Sequence, residues 1–180
     1  MVGLMMSNST QSQKSLAAEL GELLQSKSLT VTCAESCTGG GIASAITDIP
    51  GSSQWFHMGF VTYANQSKQQ LLGVDPDVLV QEGAVSQAVV EDMALGALNV
   101  SNANIAVAVS GIAGPGGGSE DKPVGLVWFC WAKSTGAAKS GDSSPVVLES
   151  RSCQFEGGRS DVRVAAIQQA LVGLISILKK

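Results

Sequence analysis

Apolar positions along the chain recur with two periods, one helical and one strand-like, and the alternation between them sketches the elements. From Ser15, the residues Leu16, Leu20, Leu23 and Leu24 fall at helical spacing and predict an amphipathic helix ending near Lys27. Leu29–Cys33 is a short apolar run that reads as a strand. It passes through a glycine turn into a second helix, Gly40–Ile49, stopped by Pro50. Phe56–Tyr63 is rich in strand formers, and Asn65 is the expected N-cap of a helix reaching Leu72. Pro76–Gln81 predicts another short helix. Ser86 is the expected cap of a helix whose one face carries Val90, Met93, Ala94, Ala97 and Leu98. Ile105–Val109 is continuously apolar, as strands buried on both faces of a parallel sheet are. Val124–Ala132 and Val146–Phe155 predict two further strands joined by a polar stretch around Gly141. A closing helix from Ser160 shows Val164, Ile167, Leu171, Leu174 and Leu178 at helical spacing.

Strands alternating with helices, followed by two adjacent strands, predict a single α/β domain. The expected architecture is a mixed, mostly parallel sheet with helices on both faces, an α/β/α sandwich. Residues 1–12 are expected to be a flexible N-terminus, leaving 13–180 as the folded domain. Ligands of such sheets bind beyond the carboxyl ends of strands. The turns after Glu35, Tyr63 and Val109 each follow a predicted strand and are expected to meet there.

Composition narrows the classes. With 44% hydrophobic and 14% charged residues, the chain suits a globule with much buried sheet. A net charge of −4 and a pI near 4.9 argue against a duplex nucleic-acid binder, while leaving room for a small phosphorylated ligand held by one or two cations and backbone amides. Cys33, Cys37, Cys130 and Cys153 form no C-x-x-C pair, and His57 is the only histidine, so no metal site is expected. The longest apolar run, Val124–Ala132, is far shorter than the roughly 20 residues a membrane helix needs. No signal-peptide pattern opens the chain, and a reducing, cytoplasmic setting is expected.

The candidate chemistry centres on Val31–Gly41, where an extended run becomes a glycine-rich turn and then a helix. Ser36 at this turn is either a nucleophile or a helix N-cap. Cys37 is either a second nucleophile or a packed thiol. His57 and Tyr63 lie about 20 Å apart along one strand at ~3.3 Å per residue, so a Ser-His-Asp arrangement finds no base. Lys68 is the alternative base, with Tyr63 as a relay or positioner; the bland readings are a solvated lysine and a packed tyrosine. The loop Ser110–Ser119 lacks the Gly-Lys-Ser/Thr ending of a P-loop. Arg159 and Arg163 either clamp a phosphate or decorate the surface.

Five ordered strings carry a resemblance: Ala34-Glu-Ser-Cys-Thr-Gly-Gly40, Gly59-Phe-Val-Thr-Tyr-Ala-Asn-Gln-Ser-Lys68, Gly83-Ala-Val-Ser86, Ser110-Gly-Ile-Ala-Gly-Pro115 and Lys122-Pro-Val-Gly125. Over about residues 13 to 178 the chain resembles the CinA C-terminal-domain family, whose stand-alone bacterial members are nicotinamide-nucleotide amidases. The resemblance implies hydrolysis of nicotinamide mononucleotide (NMN) to nicotinate mononucleotide and ammonia in pyridine-nucleotide recycling. It also implies a Ser/Lys amidohydrolase, with Ser36 and Lys68 at the matching positions and Tyr63 nearby. The amides of Cys37, Thr38, Gly39 and Gly40 are then expected around the oxyanion, and Ser110, Gly111, Gly114 or Arg159 against the substrate's phosphate. No metal or organic cofactor, nucleic acid or membrane enters this expectation, and a homodimer or higher homo-oligomer does. A non-catalytic nucleotide-binding module and a cysteine hydrolase using Cys37 are the alternatives. Departures from the family pattern fall at Cys33, at Met58 and in the long polar connection from Thr135 to Pro145.

Overall fold

The computed structural model describes the backbone of residues 2–135 and 145–180, with side chains from residue 13 onward. The polar connection around Gly141 lies outside the described residues, as do the side chains of 1–12, where a flexible N-terminus is expected. Among the described residues, six α-helices, α1 (Val2–Lys27), α2 (Gly41–Thr47), α3 (Asn65–Leu72), α4 (Pro76–Glu82), α5 (Gln87–Ser101) and α6 (Arg159–Lys179), flank five strands. The strands are β1 (Val31–Glu35), β2 (Phe56–Val61), β3 (Ile105–Gly111), β4 (Leu126–Ser134) and β5 (Val146–Gln154). They form one mixed sheet in the order β2-β1-β3-β4-β5. β1 lies between β2 and β3 and is parallel to both, whereas β4 is antiparallel to β3 and to β5, so β4 alone runs against the others.

The central strand β3 alternates in size rather than polarity, and this sorts the two faces. Ile105, Val107 and Val109 join Val31 and Cys33 of β1 in a core under α1, α2 and α6. The alanines between them, Ala106 and Ala108, join Ala34 and Phe60 in a second core under α3, α4 and α5. Small residues on that face let α5 lie close to the sheet and to its neighbour. A Cβ at Gly96 of α5 would overlap the Leu72 carbonyl at the end of α3. Leu20 and Leu24 of α1 are fully buried, each contributing about 1.5–3 kcal/mol of transfer free energy. α6 is long and apolar enough to cross a membrane by composition, yet Leu171, Leu174 and Leu178 are buried in the first core, as in a core helix of a globular domain.

The first helix, expected from Ser15, runs from Val2, whereas the other local signals were met with small shifts. Ser86 caps α5 by accepting from the Val89 amide, and Asp75 caps α4 by accepting from Asp77. At α3 the N-cap is Ala64, not Asn65; Asn65 is the first helical residue, and the Ser67 hydroxyl donates to the Ala64 carbonyl. β1 runs two residues past Cys33, so Glu35 is part of the strand and Ser36 stands at its end.

Candidate active site

Because β1, β2 and β3 are parallel, their carboxyl ends share one edge of the sheet, and the ladder continues into the turns. The Ser36 amide donates to the Val109 carbonyl at 3.0 Å, and the Thr62 amide to the Glu35 carbonyl at 2.8 Å. Ser36 therefore sits between the ends of β2 and β3 and is 9% exposed. Alternation from Ala34 turns its side chain toward the α3–α5 face.

Lys68 reaches the same point from α3. It shares a helix face with Leu72, four residues on, and that face packs inward, so the lysine is 1% exposed. Its Nζ donates to the Thr62 carbonyl at 2.8 Å and to Ser36 Oγ at 3.2 Å. Both partners are neutral, and the ion pairs found among the described residues do not include it. Burial pushes the Lys68 pKa below the ordinary lysine value, opposed by the nearby Cys37 sulfur. A lysine that loses its proton more readily, in contact with a serine hydroxyl, can act as that serine's general base.

The turn after Ser36 is held from two sides. Glu35 is fully buried, and its carboxylate accepts from the amides of Gly40 (3.0 Å), Ile42 (3.1 Å) and Ala43 (2.9 Å). The Gly39 amide donates to the Ser36 carbonyl, and the Gly41 amide to the Thr38 carbonyl. Gly39 (φ 58°) and Gly40 (φ 91°) take the left-handed conformations that let the chain reverse here. From α6, the Arg163 guanidinium donates to the Thr38 carbonyl at 2.8 Å. The amides of Cys37 and Thr38 have no oxygen acceptor among the described residues and donate to the Cys37 sulfur. The whole-turn oxyanion expectation thus narrows, since Gly39 and Gly40 have their amides engaged within the fold.

Cys37 is buried, and its thiol is pushed up to about 11, chiefly by burial. The amides of Cys37 and Thr38, beside the sulfur, and Arg163 act the other way, while Glu35 adds to the rise. A thiol so disposed carries little thiolate near neutral pH.

Tyr63 is not hydrogen-bonded to the Ser36–Lys68 pair. It is 57% exposed, and its hydroxyl accepts from Arg159 at 2.7 Å. Arg159 also donates to the Gly114 carbonyl at 2.9 Å, so one exposed guanidinium ties the end of β2 to the loop after β3. Ser110 faces the second core and donates to the Ala84 carbonyl at 2.7 Å. Gly111 lies where a Cβ would press on Val127 and the Leu126 carbonyl. Arg159 and Arg163, one turn apart on α6, are both held by neutral oxygens. Among the described residues, no three His, Cys, Asp or Glu side chains converge as metal ligands. Sequence reasoning missed Glu35, whose signal was a charged residue closing an otherwise apolar strand just before a glycine turn. It also left Arg163 as phosphate clamp or surface cation, without the Thr38 contact.

Residues 13–178 match the CinA C-terminal domain. The chain is 50% identical over 156 residues to the nicotinamide-nucleotide amidohydrolase PncC of Escherichia coli K12, covering 87% of this chain and 88% of that protein. It is 52% identical over 162 residues to the protein of the same name from Pseudomonas putida, covering 90% and 94%. Among solved structures it is similar to competence damage-inducible protein A (ComA) from Klebsiella pneumoniae subsp. pneumoniae MGH 78578. The TM-score is 0.83 at 34% identity, over 93% of this chain and 97% of that one.

Proposed function

This chain belongs to the CinA C-terminal-domain family, and from that premise we propose that it is an amidohydrolase converting NMN to nicotinate mononucleotide and ammonia. The contact between the buried, carboxylate-free Lys68 and Ser36 Oγ carries the reading. Neutral Lys68 takes the Ser36 proton as Oγ bonds to the carboxamide carbon. The resulting oxyanion is received by the amides of Cys37 and Thr38, which lie against the Cys37 sulfur and have no oxygen acceptor among the described residues. As the C–N bond breaks, Lys68 returns the proton to the departing nitrogen, which leaves as ammonia. Water, deprotonated by Lys68, then attacks the Ser36 ester, releases the carboxylate product and restores the hydroxyl. Arg159 and Arg163, with no carboxylate partner in the ion pairs found among the described residues, suit an anionic substrate, and Arg159 is the stronger phosphate candidate because it is exposed.

The rise of the Cys37 thiol weighs against the cysteine-hydrolase alternative. Four unpaired thiols suit a cytoplasmic setting, and exposed Met58 and Val61 on the edge strand β2 suit a homo-oligomeric contact, which light scattering checks. The direct test is ammonia release from purified protein and NMN with a chelator present. Release above blank supports the reading. Binding of NMN without release at neutral to mildly alkaline pH would turn the assignment to a non-catalytic nucleotide-binding module.

A further inference from the structure

The start of α2 is closed by a side chain from the strand before it. The N-cap is Gly40, which offers no side-chain hydrogen bond. Capping falls instead to Glu35, five residues upstream, whose two carboxylate oxygens take the Gly40, Ile42 and Ala43 amides. The Cys33 thiol lies 3.6 Å from the same carboxylate. Neither ion pair found among the described residues includes Glu35, so backbone N–H groups are its principal partners. The side chain therefore spans the base of the loop that carries Ser36 and locks the strand end to the helix start.

A carboxylate in this position does something an ordinary N-cap does not. The amides at the start of a helix are the usual seat for an anion, and here an internal anion already fills them. Of the turn's N–H groups, those of Cys37 and Thr38 touch the Cys37 sulfur but no oxygen acceptor among the described residues, and they are the ones left to exchange that weak contact for a developing negative charge. We infer that Glu35 is a positioning residue for the hydrolytic reaction: by holding the Gly40, Ile42 and Ala43 amides it fixes the Ser36 turn so that the Cys37 and Thr38 amides receive the oxyanion. The inference rests on the amidohydrolase reading for the identity of the reaction.

Glu35→Gln tests it with little change of shape. An amide side chain keeps one acceptor oxygen, but its NH₂ must then face one of the backbone N–H donors. One contact becomes donor against donor, and the turn loses its clamp. The expected result is a kcat lower by roughly 10²-fold with KM for NMN within about threefold, because misplaced oxyanion donors weaken the transition state more than ground-state binding. Glu35→Asp, which keeps the charge on a shorter stem, should recover part of the loss. Labelling of Ser36 by a small neutral fluorophosphonate gives a second readout that does not depend on NMN. In that step Oγ–P forms as fluoride leaves and Lys68 takes the proton. Mass spectrometry should find the labelling slowed in parallel with kcat.

A Glu35→Gln variant that labels and turns over like wild type, losing only melting temperature, overturns the proposal. If the variant does not fold, amide hydrogen exchange on the wild type decides. Phosphonylation of Ser36 should leave protection at Gly40, Ile42 and Ala43 unchanged and raise it at Cys37 and Thr38; the opposite pattern overturns the proposal. Wild type that labels at Ser36 but releases no ammonia from NMN fails the substrate reading and leaves the role of Glu35 standing. Normal NMN turnover by both wild type and Glu35→Gln fails the role of Glu35 alone.

Discussion

Lys68 Nζ lies 3.2 Å from Ser36 Oγ across 32 positions of sequence, and the lysine is buried with two neutral oxygens as its hydrogen-bond acceptors. The same burial that suits it to proton transfer makes it a cost to the fold. Its pKa is lowered in the folded state, so between that value and the ordinary lysine value the unfolded chain binds more protons. The Lys68 contribution to stability therefore improves as pH rises through this window and worsens as pH falls through the folded value.

Lys68→Met should accordingly be inactive and more stable at neutral pH, with a melting temperature higher by about 2 °C or more, at about 2–4 °C per kcal/mol for a chain of this size. Calorimetry of the two proteins across pH checks this, and the gap should narrow under alkaline conditions. A melting temperature below that of wild type would show that the lysine stabilises its surroundings.

Lys68→Arg should be nearly as damaging as Lys68→Ala, with kcat down by roughly 10²–10⁴-fold. Guanidinium keeps the charge but cannot give up its proton in a protein. The wild-type rate should rise with pH as Lys68 becomes neutral, and this ascending limb should vanish in both variants. An arginine variant retaining most of the wild-type kcat rejects Lys68 as the base.

Ser36→Ala should lower kcat by at least ~10³-fold while the protein still folds and binds NMN. Cys37→Ala should retain substantial activity, because its thiol, pushed up to about 11, contributes packing rather than a nucleophile. Steady-state kinetics with circular dichroism on both variants checks the pair. Reversed phenotypes would transfer the covalent step to the cysteine.

The elements were legible because hydrophobic spacing is local. Ser86 was recognisable as a cap, and the size alternation Ile105-Ala-Val-Ala-Val109 lay open in the sequence, though its effect on helix approach needed the packed sheet. The pairing of Ser36 with Lys68 was named from the sequence, as a serine without a histidine base and through the family resemblance, but the contact itself depends on β1 lying beside β2 in parallel and on α3 turning the Lys68–Leu72 face inward. Glu35 was not legible, since a carboxylate satisfied by amides five to eight residues later looks, in one dimension, like an interruption of an apolar strand. Arg159 was readable as a cation near the last helix, but its bond to Tyr63, 96 positions away, follows from tertiary placement alone.

That last pair changes what Tyr63 is expected to do. The sequence offered its hydroxyl as a proton relay or positioner for Lys68, but the hydroxyl accepts from Arg159, and the same guanidinium reaches the Gly114 carbonyl. Removing only the hydroxyl, in Tyr63→Phe, should then act through the arginine: KM for NMN rises several-fold while kcat and its pH profile change little. Arg159→Ala should raise KM further, by about tenfold, if it loses a charge-assisted contact to the substrate's phosphate. Because both changes disturb one bond, their effects should not add. The double variant should resemble Arg159→Ala alone, which a double-mutant cycle on kcat/KM measures. A relay makes a different forecast, with Tyr63→Phe lowering kcat and displacing the ascending pH limb whether or not Arg159 is present. Independent, additive losses with kcat carrying the Tyr63 effect would therefore return the tyrosine to the proton path and leave Arg159 as a separate contact.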